Sequence, residues 1–324
     1  NIGAVQASKW CAGCHDHAVL FNGMMDEPVQ AFLETQEAHT GIGCNSCHAI
    51  TRVTGSMGNG GFHIEYPPLH DLAVSDNAAL RWLHDYALRL DPEPHRQVFL
   101  KPFHREQTAE FCSPCHKVHL DKPVNDYRWL RGFNEYDNWQ ASGVSGQGAR
   151  SFYYPPAPLD CGDCHMPTVE SDDPGNINGV IHDHSFLAAN TAVPLANLDE
   201  TQLRRTIEFL QENQVSIDIF AAGPARSSGD NSEVVTGGRG DPPQLATTFA
   251  AGEEAAMAVG RGGAGRRELS PVWAPLDRAG VALTRGQETR IDLVVRTRNV
   301  GHFFPGGTVD AYDVWLELKA TDEN

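Results

Sequence analysis

Apolar and polar positions alternate clearly in only a few stretches of this chain. In ETRIDLVVRTRN, Ile291, Leu293 and Val295 point one way while Arg290, Asp292 and Arg296 point the other, which predicts a half-buried strand. AYDVWLELKA predicts a second, with Tyr312, Val314, Leu316 and Leu318 on one face, and VSIDIF a third. Between the first two, NVGHFFPGG supplies a turn that presents His302. LDETQLRRTIEFLQEN has the helical period instead: Leu203, Ile207 and Leu210 share a face, Asp199 stands at the N-cap and Gln202 at the reciprocal capping position. SDNAALRWLHDYALRLDP predicts another helix, opened by Ser75 or Asp76 and stopped at Asp91-Pro92, with Leu80 and Leu88 flanking His84.

Elsewhere before about residue 190 the pattern breaks into short helices and long loops such as YPPLHD, ASGVSGQG and SFYYPPAPLD. So little regular structure is unusual for an ordinary domain. From about Ala221 to Leu276 the chain is rich in Gly, Ala, Ser and Arg and reads as loop or linker. The RGD within it is a chance match in a Gly-rich stretch.

The chain has 324 residues and is 40% hydrophobic, enough for one large or two ordinary domains. Its 42 acidic and 25 basic residues give a formal charge of -17, which repels nucleic acid and anionic lipid and favours basic protein partners. No run reaches the roughly 18 apolar residues of a membrane span. No secretory leader opens the chain at Asn1, so any leader is expected to have been removed.

The cysteines change the picture. All eight fall in four pairs of one form: CAGCH (Cys11, Cys14, His15), CNSCH (Cys44, Cys47, His48), CSPCH (Cys112, Cys115, His116) and CGDCH (Cys161, Cys164, His165). Four Cys-x-x-Cys pairs also suit two zinc sites, each held by four thiolates, or redox dithiols, yet neither chemistry needs a histidine directly after every pair. Cys-x-x-Cys-His is the attachment signature of c-type haem: both thiols form thioethers to the porphyrin, and the histidine is the proximal iron ligand. Four haem c groups are therefore expected, in a periplasmic or extracellular protein. A core built on apolar porphyrin plates also accounts for the sparse regular structure.

Eleven histidines remain for the opposite faces of the irons. Only five methionines exist to compete, and Met166, beside His165, is unable to fold back over that haem. Bis-histidine ligation and low potentials are expected. Local context selects His39, His63, His104 and His184 as distal candidates, with His17, His70, His119 and His302 in reserve. His84 reads equally well as a core histidine, and His95, among DPEPHR, as solvent-facing.

With CHMP at Cys164 to Pro167 and HDHSF after it, the four motifs resemble the multihaem cytochrome c superfamily that includes the tetrahaem partner of hydroxylamine oxidoreductase. The resemblance covers about residues 8 to 190. GHFFPGGTVDAYDVWLEL resembles a β-rich segment that accompanies haem-binding regions in large multihaem cytochromes. The resemblance implies haems stacked in parallel and perpendicular pairs that pass electrons along the stack. Some members polymerise into extracellular filaments, and others keep one iron five-coordinate to act on nitrogen compounds.

The expected architecture is thus an α plus irregular, haem-cored domain over residues 1–190. A β-rich, immunoglobulin-like sandwich over 191–324 follows, reached through a helix and the Gly-rich linker. The chain stops about where a further strand is expected, which predicts a sandwich completed from elsewhere or a longer protein. The expected function is electron transfer to redox proteins with basic docking surfaces, with self-association into a haem wire. The alternative is an enzyme with one open iron acting on a small nitrogen or sulfur compound.

Overall fold

A computed structural model describes residues 5–66, 71–120, 130–148, 154–225, 273–307 and 313–321. Each Cys-x-x-Cys-His motif is helical, two as single turns and two at the ends of longer helices. Helix α1 (Val5–His15) ends on the first motif, α2 (His17–Phe21) and α3 (Gln36–Thr40) follow, and α4 (Cys44–His48) is the second motif itself. The hairpin β1–β2 (Ile50–Val53, Phe62–Ile64) leads to α5 (Ala78–Leu90) and α6 (Glu93–Phe99). Helix α7 (Thr108–His116) carries the third motif, then come β3 (Lys117–Leu120), β4 (Leu130–Asn134) and α8 (Glu135–Ala141). The fourth motif forms α9 (Cys161–His165), followed by β5 (Thr168–Glu170), β6 (Val180–His182), α10 (Ala192–Ala196) and α11 (Glu200–Gln211). Strands β7 (Val215–Pro224) and β8 (Thr289–Thr297) complete the order.

Each pair of strands forms its own two-stranded antiparallel sheet. Arg52 faces His63 in the first, Lys117 faces Asn134 in the second and Thr168 faces His182 in the third. By backbone contacts the chain divides into one unit of residues 1–214 with 299–324 and another of 215–298. The segment bearing His302 falls in the same unit as the four motifs.

Within the first unit, α7 is the element around which the others gather. Pro114 lies inside it and has no N–H to give the Glu110 carbonyl; the fully buried Ser113 hydroxyl donates to that carbonyl instead, at 2.9 Å. The loop between β1 and β2 clamps its C-terminal end: Gly60 N–H donates to the Pro114 carbonyl at 2.8 Å and Asn59 N–H to the Lys117 carbonyl at 3.0 Å. Gly58 makes this approach feasible. It has φ +79°, and a Cβ there would lie 1.9 Å from the Lys117 oxygen. On the other side, Ala109 packs with Tyr136 and Trp139 of α8, backed by Val144 and Cys161.

Caps follow the sequence with one correction. Helix α11 is capped by Asp199, which accepts from Gln202 N–H at 2.9 Å, but the Gln202 side chain reaches the Ser185 carbonyl rather than back to its own cap. Helix α5 is capped by Asn77, not Ser75 or Asp76, with Ala79 N–H 2.9 Å from Asn77 Oδ1. The buried ridge of α11 runs through Thr206, leaving Ile207 exposed.

Polypeptide burial is slight. The buried hydrophobics among the described residues are chiefly small, such as Ala12, Ala49 and Ala109, while Leu80, Trp82, Leu83 and Leu90 of α5 are exposed. In the second unit, β7 and β8 pair from Val215↔Thr297 to Pro224↔Thr289 with an irregularity between Ile219 and Ala221. Ile217, Ile219, Ile291 and Val295 stay exposed. The strand expected at 311–320 lies partly outside the described residues, and 313–321 carry no strand pairing. The Gly-rich stretch with its RGD lies largely, and His70 wholly, outside them.

Candidate functional site

A helical turn is what makes Cys-x-x-Cys-His work as a unit, because residues i, i+3 and i+4 share one face. Each motif adopts such a turn, so in each the two thiols and the histidine project to one side. The fourth turn is held by a reciprocal cap, with Asp160 accepting from Cys161 N–H and Asp163 accepting from Asp160 N–H at 2.7 Å.

The four turns converge. The Cys14 and Cys115 thiols lie next to each other across the first and third motifs, and those of Cys112 and Cys161 across the third and fourth. The first contact holds the Cys14 thiol down to about 7 and pushes Cys115 up. The second raises Cys112, with burial adding to it. Burial likewise raises Cys47, whose charge is felt at both Cys112 and Cys115. No disulfide joins any of the eight. Among the described residues no three His, Cys, Asp or Glu side chains gather as a metal site, so the thiols meet in twos rather than fours.

The histidines differ in which nitrogen is left available. A carbonyl oxygen only accepts, so a ring nitrogen bound to one carries the proton, and the other nitrogen keeps its lone pair for a metal. Of the motif histidines, His48 Nδ1 donates to the Phe99 carbonyl and His165 Nδ1 to the Leu187 carbonyl, each at 2.7 Å. His15 Nδ1 lies 2.9 Å from the Asp16 carboxylate. His116 stands 6.3 Å from the Phe133 ring, edge on.

The expected distal ligands separate sharply. His39, on α3, is exposed. The His63 Nε2 lone pair accepts from Arg52 at 2.8 Å, across the β1–β2 pair. His104 holds the wrong tautomer: its Nδ1 accepts from Lys101 N–H at 3.0 Å, so its proton is on Nε2, directed at the Cys47 carbonyl 3.3 Å away. Burial, with the neighbouring His48, lowers its pKa to about 4. His184 has the ligand-ready form, Nδ1 donating to the His182 carbonyl at 2.8 Å.

Among the reserves, His17 is buried, donates from Nε2 to the Gly13 carbonyl at 2.8 Å, and has no partner for Nδ1. It lines a cavity of about 340 Å³ together with Cys44, Asn45 and Ser46 of the second motif. His119, on β3, is held through its backbone by Asn59, at 2.9 and 3.0 Å. His302 is ligand-ready, with Nδ1 donating to the Phe303 carbonyl at 2.8 Å. His182, which the sequence did not single out, has the same form, donating to the Met166 carbonyl at 2.5 Å.

Two anchoring networks position these rings. Arg205 of α11 donates to Asp183 Oδ2 at 2.5 Å and to the Ser185 hydroxyl, and Ser185 and Arg205 together hold the Asp183 carboxyl down to about 2. That grips the loop between His182 and His184. The loop of His302 is tied at both ends: Asn299 Nδ2 donates to the Glu212 carbonyl at 3.0 Å, and Gly307 N–H to Glu135 Oε1 at 2.5 Å. His48 has the His104 and His184 ring centroids 4.8 and 6.2 Å away, and His165 has that of His302 at 6.1 Å.

The residues present fit four haem c groups. The thiols are paired on helical turns, three of the four motif histidines are held through Nδ1, a buried imidazole nitrogen lacks a partner, and apolar side chains greatly outnumber the places the polypeptide buries them. Among the described residues no helix is long and apolar enough to cross a membrane. Comparison with family models, characterised proteins and solved structures finds no match.

Proposed function

We propose that this chain is a four-haem electron-transfer protein that works in the periplasm or outside the cell. Cys11 and Cys14, Cys44 and Cys47, Cys112 and Cys115, and Cys161 and Cys164 are the thioether residues. His15, His48, His116 and His165 are the proximal ligands. Bound there, haem supplies one-electron chemistry at a potential set by ligands, burial and hydrogen bonds.

The observation that carries the reading is the meeting of attachment cysteines across motifs, Cys14 with Cys115 and Cys112 with Cys161. It brings cysteines of the third motif next to cysteines of both the first and the fourth. Transfer between centres needs rigid, close attachment points, and α7 provides them through the clamp at Pro114 and Lys117 and the packing at Ala109. The charge of -17 suits partners that dock through basic surfaces. The exposed apolar strands of the 215–298 unit suit β-rich docking between copies in a filament.

Intact mass spectrometry of protein matured in a haem-attaching host, read with its visible spectrum, tests this. The expected result is the polypeptide plus four haems and an intense, low-spin c-type spectrum. Colourless protein, or a different number of haems, overturns the reading.

A further inference from the structure

We infer that His184 is the distal ligand to the iron that His48 holds, and His302 the distal ligand to the iron that His165 holds. The inference rests on the four-haem reading and deepens it by assigning the opposite faces of two of the irons.

The argument is one of spacing and lone pairs. An imidazole nitrogen binds a first-row metal at about 2.0 Å and lies about 1.1 Å from its own ring centroid, so two imidazoles on opposite sides of one iron have centroids about 6.2 Å apart. His48 and His184 have centroids 6.2 Å apart, and His165 and His302 6.1 Å apart. Aromatic neighbours without a metal also fall in this range. What distinguishes these two pairs is that all four rings donate Nδ1–H to a backbone carbonyl: Phe99, His182, Leu187 and Phe303. Each therefore keeps its lone pair on Nε2, the atom an iron needs.

His104 fails both criteria beside the same His48. At 4.8 Å and 54° it is too near to stand across an iron, and its proton is on Nε2. In the fold it packs edge-on against the stacked rings of Phe103 and Phe111, which lie 4.8 and 4.7 Å from its own.

The His302 assignment has a structural consequence. Its ring plane is within 13° of that of His165, and its loop is fastened to Glu212 and Glu135. The sixth ligand of the fourth motif then comes from a segment separated from it in sequence by the whole 215–298 unit. The fourth iron is closed only when that returning segment is in place.

The test uses the full chain carrying its haems. Haem number is read first by mass, for the unmodified chain and for His184→Gly, His302→Gly and the control His104→Gly. In His184→Gly and in His302→Gly, one haem in four should become high-spin and bind carbon monoxide in the ferrous state. Added imidazole should return it to low spin. His104→Gly should leave the carbon-monoxide-binding fraction as in the unmodified protein. His302→Met, which keeps a ligand and the loop, covers the case in which the glycine variant fails to fold: one of the four potentials should rise. An unmodified chain without four haems overturns the four-haem reading and this inference together. Four haems with no new open iron in His302→Gly, or no raised potential in His302→Met, overturns the His302 assignment alone, and an unchanged His184→Gly does the same for His184.

Discussion

Gly162 N–H donates to Thr108 Oγ1 at 2.7 Å in a fully buried contact that joins the fourth motif's turn to the first turn of α7. Fifty-four residues separate the two positions, and the bond sets the depth at which α9 meets α7. Thr108→Val keeps the shape and removes the acceptor, leaving a buried N–H unpaired. The expected cost is about 1–3 kcal/mol, measured as a lower urea midpoint at unchanged slope.

The same contact predicts the response to a methyl group. A Cβ at Gly162 would sit 2.9 Å from both Thr108 Cγ2 and Oγ1. Gly162→Ala should therefore destabilise by about 1–3 kcal/mol, and Thr108→Ala in that background should recover part of the loss. Strict additivity of the two changes in a double-mutant cycle would show that the side chains do not meet.

Trp139 has a double role beside α7. It packs on Ala109 and Tyr136, and its Nε1 donates to the Leu159 carbonyl at 2.8 Å, just ahead of the fourth motif. Trp139→Ala is expected to cost about 3–5 kcal/mol, and Trp139→Phe less, in chemical denaturation.

Arg205 holds the loop of His182 and His184 through Asp183 and Ser185. Arg205→Leu should speed amide exchange at residues 183–187 about tenfold, the ratio expected for one lost charge-assisted hydrogen bond of about 1.5 kcal/mol. Unchanged exchange there would mean the loop is held by other contacts.

The charge of -17 predicts salt-sensitive association. Binding to a cationic redox partner should slow at least about tenfold as ionic strength rises from 0.01 to 1 M and the screening length falls from about 30 to about 3 Å. Stopped-flow reduction measures it.

The local geometry of the four motifs was legible in the residues alone. Cysteine, cysteine and histidine at fixed short spacing form a unit whose geometry is local, since one helical turn puts all three on one side whatever surrounds it. The same locality explains why the helix at Glu200–Gln211, its Asp199 cap, the strand at 289–297 and the first part of the strand at 215–224 could be read from period and capping residues, whereas residues 221–224, read as loop, continue that strand by pairing with 289–292. The choice between Asn77 and its two neighbours as the cap of α5 needed coordinates, because Ser75, Asp76 and Asn77 are all good caps.

Which histidine stands opposite which was never a local question. His104 and His184 looked alike in sequence, and both come near His48. They differ because a backbone N–H meets one Nδ1 and a backbone carbonyl meets the other, which moves the ring proton from one nitrogen to the other. In the same way His302 gained its place through Glu212 and Glu135, residues far from it in the chain, whose hydrogen bonds carry its loop to His165. Short-range spacing determines the geometry of each motif; the long-range pairing of donors and acceptors decides how the motifs meet, because that depends on loop paths no local pattern encodes.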